Sequence, residues 1–278
     1  MTKLGIMEGR LVPPEDGRFQ CFPRDQWESE FAHAAKVPFD YIEWVYDLYG
    51  HDVNPLGQRE GVDGVEQLRN LIESAGVSIR SVCADYFMDK PLLRCGKREL
   101  DERLQELARI LRNGRAVGVN RVVIPFVDAS AIRSNEDIVA VQDALNAAMP
   151  FAEETGIEIH LETSLGPIDF AKLLDSIPHP KLRVNYDSGN SASLGYSPAN
   201  EFAAYGDRIG SVHIKDRVLN GGTVPLGTGN TDFTAVFSCL EKIDYRGDFT
   251  LQVARGTPGD EVAWAKQNVA FVRGYWHN

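Results

Sequence analysis

Four side chains able to bind a metal ion recur at matching places in the second half of the chain. Glu162, Asp187, His213 and Gln252 each lie near the C-terminal end of a short apolar, β-branched run: IEIHLET, LRVNYD, IGSVHIKD and DFTLQVAR. A turn and a helical pattern follow each run. The spacings of 25, 26 and 39 residues are those of successive βα units, the last carrying a loop insertion. In a closed parallel barrel such strand ends converge at one mouth. Asp187 ends an apolar strand and is followed by Ser188 and Gly189, and His213 interrupts SVHI, where a solvated histidine has little reason to be. Together they predict a site for one divalent ion. Two carboxylates, an imidazole and an amide oxygen suit manganese, magnesium, zinc or cobalt, and ligand type alone does not choose among them. Alternation places His160 on the same face as Glu162, one layer deeper, as a core histidine.

The elements that must position these groups follow in order. Strands are expected at 4–7, 39–44, 77–84, 121–126, 157–162, 182–187, 209–215 and 249–253, from their apolar and β-branched content. Helical periodicity predicts helices at 26–35, 65–75, 97–117, 135–155 (with a kink at Pro150), 168–177, 198–205, 233–243 and 262–275, several stopped by Gly76, Gly118 or Gly156. Eight strands alternating with eight helices, with no linker-like stretch, predict one α/β domain spanning residues 1–278, a (β/α)₈ barrel. A doubly wound sheet is disfavoured because no glycine-rich phosphate fingerprint follows the first strand.

The chain has 278 residues, 43% of them hydrophobic, and a formal net charge of −11. That charge opposes phosphate backbones and anionic membrane surfaces, so neither nucleic acid nor membrane is an expected partner, while a local cationic pocket stays compatible with it. The first residues are too short in apolar run for a signal peptide, and no later run approaches a membrane span. Cys21, Cys83, Cys95 and Cys239 show no CxxC spacing and are expected as free thiols in a reducing cytoplasm. A homo-oligomer is compatible with all of this.

NYDSGNSAS, SVHIKD and VPLGTGNTDF, in this order, with the opening GIMEGRL, resemble the xylose isomerase-like TIM-barrel superfamily. Within it they look most like the L-ribulose-5-phosphate 3-epimerase branch of sugar and sugar-phosphate isomerases and epimerases. The resemblance implies an enzyme that binds one divalent metal through Glu, Asp, His and Glu, which fall here on Glu162, Asp187, His213 and position 252. It also implies a small sugar or sugar phosphate as substrate, with the two glutamates moving a proton on opposite faces of an enediolate.

Position 252 departs from that pattern. Gln252 keeps a ligating oxygen, but its amide is no general base at ordinary pH. Glu162 alone would support one-base aldose–ketose isomerisation, or a second base would come from Glu43, Asp85 or His160. A barrel that binds sugar without turning it over is the alternative. Phosphodiester hydrolysis would need a two- or three-metal cluster with more mouth histidines than this chain has, since His33, His179 and His277 fall away from the mouth. Glu8, Arg10, Asp85, Lys215, Arg217 and Arg255, at or just beyond strand ends, and Glu43, near the end of the second strand, are candidates for substrate contact; one of Lys215 and Arg217 could hold a phosphate or carboxylate. Trp44, Tyr86 and Phe87 are read as packing, and Gly227 and Gly229 as loop geometry.

Overall fold

The apolar, β-branched runs pair as parallel strands because each needs both faces covered, by helices outside and by its neighbours' side chains inside. In the computed structural model, which describes residues 2–58 and 63–276, they are β1 (Leu4–Met7), β2 (Tyr41–Val45), β3 (Ser78–Cys83), β4 (Arg121–Phe126), β5 (Glu158–Thr163), β6 (Leu182–Asp187), β7 (Ile209–Ile214) and β8 (Asp248–Leu251). They close in sequence order, with β8 paired back to β1. The register slips between Ile42 and Glu43 in β2 and between Val184 and Asn185 in β6. Such irregularities re-aim the residues beside them, and Glu43 and Asn185 both prove to support the site.

The apolar core lies between strands and helices. The helix Lys97–Val117 buries Leu104, Leu107, Ile110 and Leu111 on one stripe; Glu99 reaches back to the Gly96 N–H at 3.0 Å, and Gly118 ends it at φ +95°. The helix Asn135–Thr155 starts on Ser134, whose hydroxyl accepts from Asp137 N–H, and continues through Pro150. Trp44 packs against Phe22, Trp27 and Phe31 on the outside of the sheet, and Phe87 is buried.

The barrel interior, by contrast, is polar. At its floor Arg121 donates to Asp248 Oδ2 at 2.9 Å and to Tyr41 Oη at 2.8 Å, all three buried. Buried charge is tolerated there because each partner is paired.

Most element ends fall within two residues of expectation. The helix expected at 168–177 runs Pro167–Asp175 instead, since a proline at the first helical position has its φ already set. Two short helices were not expected, Tyr86–Asp89 and Ser188–Ser193, and the loop at 216–230 holds a small antiparallel pair, Asp216–Arg217 with Thr223–Val224. The end of the loop expected at 45–61, and His277, lie outside the described residues. All four cysteines are free. Among the described residues no helix is long and apolar enough to cross a membrane.

Candidate metal centre

β5, β6 and β7 end side by side, so Glu162, Asp187 and His213 each bring a ligand atom within 4.8 Å of the others. All three side chains are buried. His213 Nδ1 stands 3.2 Å from Glu162 Oε2 and 3.9 Å from Asp187 Oδ2, yet neither ring nitrogen has a hydrogen bond of normal geometry. Buried polar atoms are nearly always satisfied. An imidazole nitrogen aimed at two buried carboxylates is a set that a divalent ion would complete, so the residues fit the expected group.

Electrostatics agree with that reading. Burial raises the Asp187 carboxyl above its ordinary range, and the Glu162 charge adds to the rise. Burial acts on Glu162 in the same direction, but His213 and Lys215 outweigh it and hold that carboxyl low. Burial would lower His213, whereas Glu43 and Glu162 push it up to about 10. With only a proton to offset two or three carboxylates, the imidazole keeps it tightly; a metal ion would take the proton's place.

Each ligand is held from behind. Glu43 lies fully buried with Oε1 2.6 Å from His213 Nε2, so a carboxylate backs the ring on the side away from Glu162 and Asp187, the placement that orients ligating histidines in metal sites. Glu162 accepts from Asn185 Nδ2 at 2.8 Å and from Asn190 Nδ2 at 2.6 Å, one amide for each oxygen. Asn185 in turn accepts from Ser211 Oγ at 2.7 Å, Ser211 contacts His160 Nδ1 at 2.7 Å, and His160 Nε2 faces Glu158 Oε2 at 3.0 Å. A column of polar contacts thus runs up the barrel from its floor to Glu162. Asp187 Oδ1 caps the helix Ser188–Ser193 by accepting from Asn190 N–H at 2.7 Å.

Gln252 joins the site through Lys215. Its backbone N–H donates to Ile214 O, extending the ladder past the end of β8. Its Oε1 accepts from Lys215 Nζ at 3.0 Å, and Lys215 Nζ is also 3.5 Å from Asp187 Oδ2. The Gln252 Nε2 donates to Gln20 Oε1 at 3.1 Å, while Gln20 Oε1 also accepts from Arg10 and Gln20 Nε2 donates to Asp85 Oδ2 at 2.6 Å. The network therefore orients the amide with its oxygen toward Lys215. Lys215 reaches this position only because residue 189 is glycine: a Cβ there would lie 2.7 Å from the lysine Cγ.

Above the centre opens a cavity of about 670 Å³. Of the residues expected to contact substrate, Asp85, Lys215 and Arg217 line it, together with Glu162 and Gln252. Four others need correcting. Glu8 is fully buried behind the mouth, its carboxylate accepting from Val45 N–H at 2.7 Å. Glu43 faces His213 from below, because β2 runs on to Val45 and leaves it two residues inside the strand. Arg10 donates to Val253 O and Phe19 O, and Arg255 to Phe19 O and Val12 O, so both brace the first loop. Among the candidate second bases only Asp85 lines the cavity; burial raises its carboxyl to about 6. Sequence reasoning assigned no role to Gln20, Asn185, Asn190 or Ser211. An amide inside the apolar run RVNYD was the one available signal for Asn185.

The family model for the xylose isomerase-like TIM barrel matches residues 31–275. The L-ribulose 3-epimerase of Methylomonas sp. (strain DH-1) is 28% identical over 234 residues, covering 80% of this chain and 76% of the relative. The L-ribulose-5-phosphate 3-epimerase of Shigella flexneri serotype 5b is 22% identical over 260 residues, covering 88% and 90%. Among solved structures, the IolI protein with a bound zinc atom superposes with a TM-score of 0.77 at 18% identity over the whole of both chains. The strands close into an eight-stranded barrel and the family model spans nearly all of it, so the chain belongs to the xylose isomerase-like TIM-barrel family.

Proposed function

We propose that the protein is a divalent-metal-dependent isomerase or epimerase of a small sugar or sugar phosphate, with Glu162 as the group that moves the proton. One observation carries this reading: Glu162 belongs to the three-residue cluster and also lines the cavity, with both its oxygens held by side-chain amides. The relatives named as sugar epimerases support it. Glu162, Asp187 and His213 would hold the ion, with the Gln252 oxygen as a neutral fourth ligand. The zinc in the IolI structure supports zinc; manganese, magnesium and cobalt suit the same ligands.

Bound there, the ion would act as a Lewis acid for the negative charge that develops on a substrate carbonyl oxygen. The chain's own part is proton transfer. Asn185 and Asn190 donate to the ionised form of Glu162 and fix its direction, so the carboxylate can take a proton from a carbon beside the carbonyl and return it elsewhere. Lys215, held by Gln252 and Asp187, places a positive charge at the cavity wall. The Gln252 amide cannot return a proton to the second face, and this favours either one-base isomerisation or a second base such as Asp85. The acidic composition and free cysteines fit a cytoplasmic enzyme.

Incubating the metal-loaded protein with a panel of ketoses and separating the products chromatographically tests this. A new isomer that disappears on chelation and returns with metal is the expected result. Sugar binding without any isomer would instead support the non-catalytic reading.

A further inference from the structure

We infer that the cavity takes an uncharged, unphosphorylated sugar. This rests on the sugar isomerase or epimerase reading above and narrows its substrate class.

Proteins hold phosphate esters with arginine or lysine donors, with glycine-rich backbone nests or with helix N-termini. At this mouth every such device except the exposed Arg18 guanidinium, which only lies over the Tyr49 ring, already has an occupant. Arg217 donates from Nε and Nη2 to Gly221 O and from Nη1 to Asn190 Oδ1. Lys215 is engaged by Gln252 and Asp187. The glycine-rich turn after β7 resembles a phosphate cradle in sequence, but the N–H groups of Gly227 and Gly229 both donate to Asp216 Oδ2 at 2.9 Å, and Thr231 N–H donates to Asp216 Oδ1. A Cβ at residue 229 would stand 2.3 Å from that carboxylate, so the glycine serves Asp216. The helix that starts beside the centre is capped by Asp187.

Charge points the same way. The cations lining the cavity are Arg18, Lys215 and Arg217, and Arg18 lies over the Tyr49 ring at 4.3 Å. Against these three stand five carboxylates: Asp47, Asp85, Asp89, Asp128 and Glu162. Asp89 and Asp128 lie exposed on the rim, where the non-reacting end of a ligand bound at the centre would emerge. A phosphate dianion there would meet like charge, whereas hydroxyl groups would find acceptors. Phe19, Leu48 and Leu194, partly exposed on the same rim, suit the C–H faces of a neutral sugar.

The test is calorimetric titration of the metal-loaded protein with free four- to six-carbon ketoses and, for each, its terminal phosphate ester, followed by product analysis of the same pairs. Free ketoses should bind at least ten-fold more tightly than their esters. Equal or tighter binding of the esters, or no binding in any pair, overturns the inference. Tighter binding of free ketoses with no isomer formed would sink the proposed reaction while leaving this inference standing. In the double variant Asp89→Lys, Asp128→Asn the preference should shift toward the ester by about five-fold at low salt, screened Coulomb interactions at this range being of that order. Asparagine suits position 128, where φ is +50°. An unchanged ratio would also overturn the inference.

Discussion

Replacing Glu43 by Gln probes the site without touching the cavity. Glu43 Oε1 is 2.6 Å from His213 Nε2, both side chains have no solvent exposure, and no water can take over the lost charge. In the metal-loaded site the carboxylate would do two things: favour the proton on Nε2, leaving Nδ1 toward Glu162 and Asp187, and make the imidazole more electron-rich. A neutral amide keeps the shape and an acceptor oxygen but loses the charge. Carboxylates behind metal-bound histidines contribute about 10–100-fold in affinity, or about 1.4–2.7 kcal/mol. The fully buried, short contact argues for the upper half of that range. Thr250 Oγ1, 3.3 Å from Glu43 Oε2, can accept as well as donate a hydrogen bond, so the amide has a partner and the fold should survive. Competition with a chelating indicator, parent against variant, gives the affinity ratio directly. An unchanged ratio, with circular dichroism showing both folded, would refute the role assigned to Glu43 and weaken His213 as a ligand.

Two further outcomes follow from the same contacts. Gln252→Glu adds an anion beside the centre and should tighten metal binding, but it sets a carboxylate oxygen against Gln20 Oε1, which Arg10 and Asp85 hold in place; the metal-free variant should be less stable by about 1–3 kcal/mol in denaturant titration, and equal stability would refute the network. Glu30 is fully buried and desolvation raises its carboxyl to about 7, despite N–H donors from Leu11 and Gly9. Between pH 4.5 and 7 the folded state therefore holds a proton that the unfolded chain has released, so this contribution is complete below the unfolded value and is lost as pH rises through 7, with a ceiling of about 3 kcal/mol. Glu30→Gln should flatten the fall in Tm across that window; identical slopes would show that Glu30 does not titrate this way.

The barrel was legible in the chain because its strands are short, apolar and bounded by glycine and proline turns, and because each helix carries an apolar stripe of period 3.6. Lys97–Val117, Arg121–Phe126, Leu182–Asp187 and Pro198–Tyr205 fall where the periodicity put them. Glu162, Asp187 and His213 were legible for a related reason, since a polar ligand at the end of an apolar strand breaks the local pattern. What the pattern could not show was depth. Glu43 and Asp85 both follow apolar strand residues, yet one lies under His213 and the other lines the cavity, and the difference is that Glu43 stays inside β2, two residues short of its end, while Asp85 lies beyond the end of β3. Gln20 was illegible for another reason. It sits in an irregular first loop and meets Gln252 only because that loop folds over the mouth, a contact between positions 232 residues apart. Ser188–Ser193 forms a helix that its serines and glycine do not favour, held by the Asp187 cap and by Ser188 Oγ bonding to Lys215 O.

Glu162 is proposed to move a proton at a carbon beside a carbonyl, next to a bound metal ion. The most direct measurement of that role is deuterium incorporation from heavy water into a ketose, followed by mass spectrometry, for the metal-loaded parent and Glu162→Gln with metal content determined on both. One deuteron should be gained with the parent and at least a hundred-fold more slowly with the variant, while the variant should keep most of its metal because the amide retains an oxygen donor. Undiminished incorporation by a metal-loaded Glu162→Gln would contradict the role of Glu162.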